Sequence, residues 1–256
     1  MPEVTKHEPG AFSWVELATN DAAAAKKFYQ SLFGWDPVDQ PTGPDMVYTL
    51  FKKNGKDAAA VYQIRPDQKG MPPNWGIYVT VASADDAARK AKDAGGKVLM
   101  EPFDVMTLGR MAVIQDPQGA FFSVWQPRGS IGAQVWGETN AACWCELQTT
   151  DTDAAQKFYT AVFPWKPNVS PQYTEWHVNG KGVGGMMKIA PEWGPVPPHW
   201  TPYFQVDDTD AIFAKTKSLG GGAHLPPMDF PDVGRFAILH DGQGASFAVI
   251  KLAPRG

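Results

Sequence analysis

The sequence predicts an α+β protein built from two tandem modules of one fold. The first observation is an internal repeat, in which Trp14-Val-Glu-Leu-Ala-Thr-Asn-Asp21 returns as Trp144-Cys-Glu-Leu-Gln-Thr-Thr-Asp151. The second is length, because 256 residues divide into units of about 115 residues, close to a usual domain. The third is that both copies alternate strand patterns with capped helix patterns.

The spacing of the two copies changes along the chain. Trp144 lies 130 positions after Trp14 (144 − 14), whereas Asp241 lies 125 after Asp116 (241 − 116). We expect a loop after Phe33-Gly-Trp35 and its copy to absorb this five-residue difference. The predicted modules are 12–127 and 140–252. The segment 128–139 between them contains three glycines and is interpreted as a linker, part of which is expected to pack as an extended crossover. Trp136 predicts that this linker is not a free tether.

Each module opens with a strand and a helix. The residues 12–17 alternate in polarity as a strand does, and Asn20 or Asp21 is placed to cap a helix over Ala22 to Leu32. Gly34 supplies the stop of that helix. The helix should therefore pack against the first strand.

Further strands and a second helix follow in each module. Asn54-Gly55 lies between apolar runs and readily takes positive φ, which favours a tight hairpin, and Asn179-Gly180 is its copy. The later elements of the first module are predicted as a strand over 75–81, a helix over 83–94 closed by two glycines, and closing strands around 111–115 and 120–126.

Composition limits the possible partners. The chain is 43% hydrophobic, 12% aromatic and 20% charged, as in an ordinary globular protein. Its net charge of −4, without dense Lys/Arg runs, argues against nucleic acid and anionic membranes as partners. No apolar run approaches about 18 residues and the N-terminus has no signal-peptide core, so a cytoplasmic location is expected.

The two cysteines, Cys143 and Cys145, are separated by one residue in a predicted strand. That spacing places both side chains on one face and would strain a disulfide. We expect two reduced thiols packed beneath the sheet.

Several motifs together resemble the vicinal oxygen chelate superfamily, the glyoxalase and bleomycin-resistance fold. They are a strand leading through Asp21 to Phe28-Tyr29, the Phe33-Gly-Trp35 exit, and Asp116-Pro-Gln-Gly119 before the last strand. They cover residues 12–126 and recur over 142–251. The Trp-x-Glu-Leu opening, Gly109-Arg110 and the tandem layout are similar to actinobacterial glyoxalase-like proteins labelled hydroxylases.

This resemblance implies modules of paired βαβββ units, each with a curved sheet around a cleft. It also implies a divalent metal held on the inner face by His, Glu or Gln. At most one of the corresponding side chains, Glu175, can coordinate, and a lone carboxylate does not hold a metal, so we predict no metal and no other cofactor. These positions are Trp14, Leu50, Gly76 and Ser123 in the first module and Trp144, Glu175, Thr201 and Ala248 in the second.

An asymmetric metal site in the second module is the alternative. Glu175 and His177 are two residues apart and share a strand face, and His199 is a further candidate ligand. The competing interpretation is one histidine on a sheet face with the others on loops.

Strand periodicity places a group of aromatic and acidic side chains on the inner faces. Rings beside a carboxylate suit a flat or cationic organic ligand, although core packing explains such rings equally well.

Arg110 and Arg235 are candidate partners of the carboxylates; the alternative is that they are solvated residues at hairpin tips. If desolvated, Glu16 or Glu146 could act as a general base. The candidate ligand-binding residues are Trp14, Glu16, Tyr78, Arg110, Trp125, Trp144, Glu146, Tyr203 and Arg235.

The sequence thus predicts a metal-independent protein that binds a small hydrophobic or aromatic molecule. The alternative is a glyoxalase-like lyase or isomerase with a divergent metal site in the second module around Glu146, Glu175 and His177. A ring-cleaving dioxygenase ranks third, because it needs two histidines and a carboxylate on adjacent inner strands. Since duplication already pairs two modules, a monomer or weak homodimer is expected.

Overall fold

The computed structural model describes residues 4–44, 46–68 and 70–254. These residues form two eight-stranded sheets, one in each module. The α+β class and the tandem arrangement are as predicted from the sequence. No helix in the described ranges is long and apolar enough to cross a membrane.

The first sheet has the strand order β2-β3-β4-β1-β5-β8-β7-β6. Each half is one βαβββ unit, and the two units meet where β1 pairs antiparallel with β5. The elements are β1 (Phe12–Thr19), α1 (Ala22–Phe33), β2 (Asp36–Gly43), β3 (Met46–Lys53), β4 (Lys56–Gln63), β5 (Asn74–Thr80), α2 (Ala84–Asp93), β6 (Lys97–Val105), β7 (Gly109–Gln115) and β8 (Phe121–Pro127).

The second sheet repeats this order as β10-β11-β12-β9-β13-β16-β15-β14. A short 3₁₀ turn precedes β5 in one module and β13 in the other. The elements are β9 (Ala141–Thr149), α3 (Thr152–Val162), β10 (Lys166–Val169), β11 (Thr174–Val178), β12 (Lys181–Lys188), β13 (His199–Gln205), α4 (Thr209–Ser218), β14 (Gly222–Phe230), β15 (Gly234–His240) and β16 (Ser246–Leu252).

Local signals fix the predicted ends of these elements. The Asp21 carboxylate accepts the backbone N–H of Ala24 at 2.9 Å, and Gly34 ends α1 with φ +72°. Asn54 and Gly55 both have positive φ, at +52° and +79°, as a tight hairpin turn requires. The caps and the hairpin are confirmed.

The five-residue difference between the copies was predicted to fall in a loop, and this is wrong. It shortens an edge hairpin: β2 and β3 have eight residues each, whereas β10 and β11 have four and five. An edge strand has one free side, so its length can change without breaking the rest of the sheet.

The two modules share one hydrophobic core. The Phe12 ring lies 5.5 Å from the ring of Trp165 and 5.3 Å from that of Trp200, measured between centroids. In the reverse direction, Phe33 lies 5.1 Å from Phe204. Rings of each module therefore complete the packing of the other.

Buried hydrogen bonds also cross between the modules in a reciprocal pattern. The Tyr159 hydroxyl donates to Asp116 Oδ2 at 2.9 Å and accepts from Trp200 Nε1 at 3.0 Å. Asp116 Oδ1 accepts backbone N–H groups of its own loop, including that of Ala120. Tyr29, Asp241 and Trp75 repeat the arrangement in the opposite direction. We call these two sets the cross-module bridges.

The linker packs against the first module. The Ala133 N–H donates to the Ser13 carbonyl at 2.7 Å, and the Gln134 N–H donates to the Asp57 carbonyl at 2.8 Å. Ala133 and Trp136 join the inner-face side chains of that module. The expectation that Trp136 ties the linker down is confirmed.

We predict that Tyr159→Phe lowers the free energy of unfolding by about 1 to 3 kcal/mol, because the buried Asp116 carboxylate loses a donor and Trp200 loses an acceptor. Urea denaturation measures this change. The control is Tyr62→Phe, since the Tyr62 hydroxyl makes no hydrogen bond within the described ranges. Equal losses in both variants would contradict a role for the bridge.

Candidate functional site

The inner face of the first module carries a hydrogen-bonded network around Glu16. The Tyr78 hydroxyl donates to Glu16 Oε1 at 2.5 Å, and the Tyr48 hydroxyl donates to Oε2 at 2.7 Å. The Trp14 indole N–H donates in turn to the Tyr48 hydroxyl at 2.9 Å. Both carboxylate oxygens therefore have a phenolic donor. We call these four residues the first inner-face network.

The second module repeats this network around Glu146. Tyr203 donates to Glu146 Oε1 at 2.9 Å, and Trp144 Nε1 donates to the Tyr173 hydroxyl at 2.9 Å. Tyr173 also hydrogen-bonds the carboxylate. Gln148 adds a donor that has no counterpart in the first module, at 2.7 Å from Oε1. Trp144, Glu146, Tyr173 and Tyr203 form the second inner-face network.

A one-residue bulge sets which side chains face inward. On β1 the pairing with β5 shifts at Ser13, so Phe12 lies in the shared core while Trp14 faces inward. The same shift occurs at Cys143 on β9. Cys143 consequently packs beside Trp144 on the inner face, and Cys145 lies in the core. The prediction that both thiols share one face is wrong, because it assumed an unbroken period of two.

Burial determines the protonation of both networks. Desolvation raises the pKa of Glu16 and of Glu146, and the tyrosine hydrogen bonds only partly oppose that rise. Burial and the neighbouring carboxylate raise the pKa of Tyr78 and of Tyr203 well above the ordinary value. The phenols thus remain protonated donors.

The two carboxyl groups differ in access to solvent. Glu16 is partly exposed at the inner face, whereas Glu146 is only 6% exposed. The extra hydrogen bond from Gln148 accompanies this deeper burial.

The predicted pairing of arginine with these carboxylates is wrong. Arg110 forms ion pairs with Asp85 and Asp104, at 2.7 Å and 3.0 Å. Its neighbour Met111 packs with the inner-face side chains, so by strand alternation Arg110 points toward the helix side. Arg235 repeats this with Asp210 and Asp229.

The residues at the expected metal positions do not fit a divalent ion. The Trp14 indole has no lone pair for a metal, and its N–H is donated to Tyr48. Both carboxylate oxygens of Glu16 accept hydrogen bonds from tyrosine hydroxyls. Within the described ranges, no group of three or more His, Cys, Asp or Glu side chains is placed to hold a metal ion.

The alternative ligand set does not converge either. Glu175 Oε2 lies 3.1 Å from His177 Nε2, without hydrogen-bond geometry. His199 instead bonds the Pro197 carbonyl at 2.8 Å and acts electrostatically on His224.

The interpretation that placed one histidine on a sheet face and the others in loops is wrong. All four histidines of the second module lie in strands: His177 in β11, His199 in β13, His224 in β14 and His240 in β15.

The alternation of side chains along strands predicted one inner face that carries Trp14, Glu16, Tyr78 and Trp125, and the structure brings these four residues together. Sequence reasoning missed Tyr48 and Tyr173, although the two occupy equivalent positions 125 residues apart (173 − 48). A tyrosine repeated in the same edge hairpin, within β3 in one copy and immediately before β11 in the other, was the signal that could have identified them. Their role depends on strand order, which places β3 two strands from β1.

A tandem pair of modules, each built from two βαβββ units and with a Glu-centred inner face, defines a protein of the glyoxalase class of fold. The chain matches the family "Glyoxalase/Bleomycin resistance protein/Dioxygenase superfamily" over residues 11–124 and again over 143–249. It belongs to that family.

Two relatives are similar along nearly their whole length. "Putative glyoxylase CFP32" of Mycobacterium tuberculosis is 41% identical, with 100% of both chains covered. "Anthracycline biosynthesis protein DnrV" of Streptomyces peucetius is 38% identical, covering 97% of this chain and 96% of that protein.

Solved structures share the fold at low identity. The Mn(II)-bound glyoxalase from Novosphingobium aromaticivorans has a TM-score of 0.66 at 17% identity, covering 97% of this chain and 86% of that one. The 2,3-dioxygenase LapB from Pseudomonas sp. KL28 has a TM-score of 0.68 at 9% identity, covering 98% and 95%. These likenesses show the fold alone.

We predict that Glu16→Gln changes how stability depends on pH. The folded pKa of Glu16 is raised, so the wild-type protein loses this contribution to stability as pH rises from the unfolded pKa through the folded one. The amide does not titrate. The unfolding free energy of the variant relative to wild type should therefore increase as the pH rises above the pKa of the unfolded carboxyl group. Urea denaturation across that range tests this, and parallel profiles would contradict the raised pKa.

Proposed function

We propose that this protein binds a small hydrophobic or aromatic molecule on the inner face of a module and does not use metal-dependent chemistry. The observation that carries the proposal is the pair of inner-face networks. Both replace the expected ligands by a Trp, Tyr and Glu set that satisfies its own hydrogen bonds. The part of the inner face that remains for contact with a ligand is therefore mainly aromatic surface.

The second module offers the more accessible surface. In the first, the linker places Ala133 and Trp136 against the inner-face cluster, and Trp125 Nε1 donates to the Ser130 carbonyl at 2.9 Å. In the second, no linker residue joins the described inner-face cluster, and Trp144 is partly exposed. We therefore assign the ligand to the second module.

The side chains around Trp144 suit a planar apolar molecule. Tyr203, Phe236, Ile238 and Ile250 cluster there, and aromatic rings prefer to stack offset or edge-on with a flat ligand. Burial raises the pKa of the nearby Cys143 thiol to about 12, so this thiol is protonated and adds apolar surface rather than a nucleophile.

The streptomycete relatives support an aromatic ligand, because their names connect them with the biosynthesis of anthracyclines, which are polycyclic aromatic compounds.

The proposal includes a cytoplasmic location and a monomer or weak homodimer. The reduced thiols are consistent with the location, and the pairing of two modules within one chain is consistent with the oligomeric state.

The direct test is binding of a neutral planar probe, 9-anthracenemethanol, followed by fluorescence anisotropy. We predict that Trp144→Leu weakens binding about fivefold, corresponding to the roughly 1 kcal/mol that a ring contact contributes. The matched control is Trp193→Leu, at a tryptophan that is 43% exposed on a 3₁₀ turn away from the inner-face cluster. Absence of saturable binding to wild type would overturn the proposal.

Elemental analysis by mass spectrometry provides a second test. We predict substoichiometric Zn, Ni, Mn and Fe in protein purified without chelator and also after incubation with each metal. The reason is that the inner-face networks leave no free set of ligands. One tightly bound metal per module would contradict the proposal and favour an enzyme.

A lyase or isomerase is the second candidate, and the raised pKa of the partly exposed Glu16 is the observation that favours it. A carboxyl group of raised pKa is a better general base near neutral pH. Turnover of the hemithioacetal of methylglyoxal and glutathione that is abolished by Glu16→Gln, but kept by Glu175→Gln, would support this candidate.

A further inference from the structure

The inner face of the second module has a polar row that crosses four strands. Glu146 on β9 pairs with Thr201 on β13, and His240 on β15 pairs with Ser246 on β16. Extending the parallel pairing of β13 with β16 by two residues aligns Thr201 with Ser246. The row therefore runs from Glu146 through Thr201 and Ser246 to His240.

Three histidines gather around the far end of this row. His224 Nε2 lies 2.9 Å from Ser246 Oγ, and the rings of His224 and His240 are 5.1 Å apart. His199 lies beside Gln148 on the same face and acts electrostatically on His224. Burial lowers the pKa of His224, and the two other imidazoles lower it further. We call His199, His224, His240 and Ser246 the histidine end.

The first module has no such end. The equivalent positions, 125 residues earlier, hold Asn74, Leu99, Gln115 and Phe121. The inner-face networks are kept in both copies, whereas the four positions of the histidine end have diverged completely. Fold maintenance alone does not require the histidines, because the first module pairs the same strands without them.

The opposite end of the second inner face is apolar. On β16, Ser246 alternates with Ala248 and Ile250, and on β15, His240 alternates with Ile238 and Phe236. Ile250 lies four positions after Ser246 along the strand, a span of about 13 Å. This length accommodates several fused rings between the apolar end and the histidine end.

We propose that the second module binds an aromatic carboxylic acid, with its rings against Trp144 and Tyr203 and its carboxylate at the histidine end. This rests on the proposed function and narrows its ligand. His199 and His240 donate Nδ1–H to the carbonyls of Pro197 and Asp241, at 2.8 Å and 2.9 Å, so either imidazole, when protonated, presents Nε2–H as the donor for a carboxylate. Hydrogen bonds between two charged groups are stronger than neutral ones.

The acidic residues near this end do not oppose an anion there. Asp241 follows His240, but its carboxylate is directed to Tyr29 and to backbone N–H groups of its own loop. Glu146 lies three strands away from His240 along the row, about 14 Å. Desolvation raises its pKa and so favours its neutral form. A bound carboxylate would favour the protonated form of His224, whose pKa burial and the neighbouring imidazoles lower.

The test compares two probes of one shape, anthracene-9-carboxylate and 9-anthracenemethanol, by fluorescence anisotropy. Wild type should bind the carboxylate more tightly. The double change His224→Gln, His240→Gln should weaken carboxylate binding about tenfold and leave the alcohol unchanged, because only the charged hydrogen bonds are lost. The single change His224→Gln, at an exposed side chain, gives a smaller effect of the same sign.

Gln115→Ala in the first module is the matched control, since Gln115 occupies the position equivalent to His240, and it should leave both affinities unchanged. If the histidine variants bind the carboxylate as wild type does while Trp144→Leu still weakens both probes, the acid specificity is wrong and the proposed function stands. If wild type binds neither probe, both are overturned.

Discussion

The cross-module bridges are the constraint on which the rest of the structure depends. A buried carboxylate is costly unless its oxygens are hydrogen-bonded, and Asp116 meets this need with backbone groups of its own loop and with Tyr159 of the other module. Asp241 does the same with Tyr29. The closing loop of each module is therefore completed by a helix of its neighbour. Neither module can satisfy its buried polar groups alone, so the two sheets take one fixed relation.

The bulges at Ser13 and Cys143 connect this interface to the inner faces. On β1, a regular strand would place Phe12 and Trp14 on the same side. The extra residue instead sends Phe12 into the core, against Trp165 and Trp200, while Trp14 stays beside Glu16. One strand thus serves both the contact between modules and the first inner-face network. A bulge is a common way to redirect a side chain next to a functional site.

The inner-face networks explain how a family fold can persist without its usual ligands. A lone carboxylate beneath aromatic rings would be destabilising, and two phenolic donors in each module offset its burial. Because the networks hold the centre of each sheet, residues around them were free to diverge. In the first module linker side chains pack against the network, and in the second a polar row runs to His240.

The sequence by itself determined what depends on short-range patterns. The repeat, the Asp21 cap, the Asn54-Gly55 turn and the inward direction of Trp14, Glu16 and Tyr78 all follow from local periodicity and turn chemistry. Only the tertiary structure decided which residues meet across strands. Tyr48 reaches Glu16, Arg110 turns to Asp85, and His224 meets His240 because of strand order, register and bulges. A one-residue shift in register reverses the face of every following side chain, so such contacts cannot be read from spacing alone.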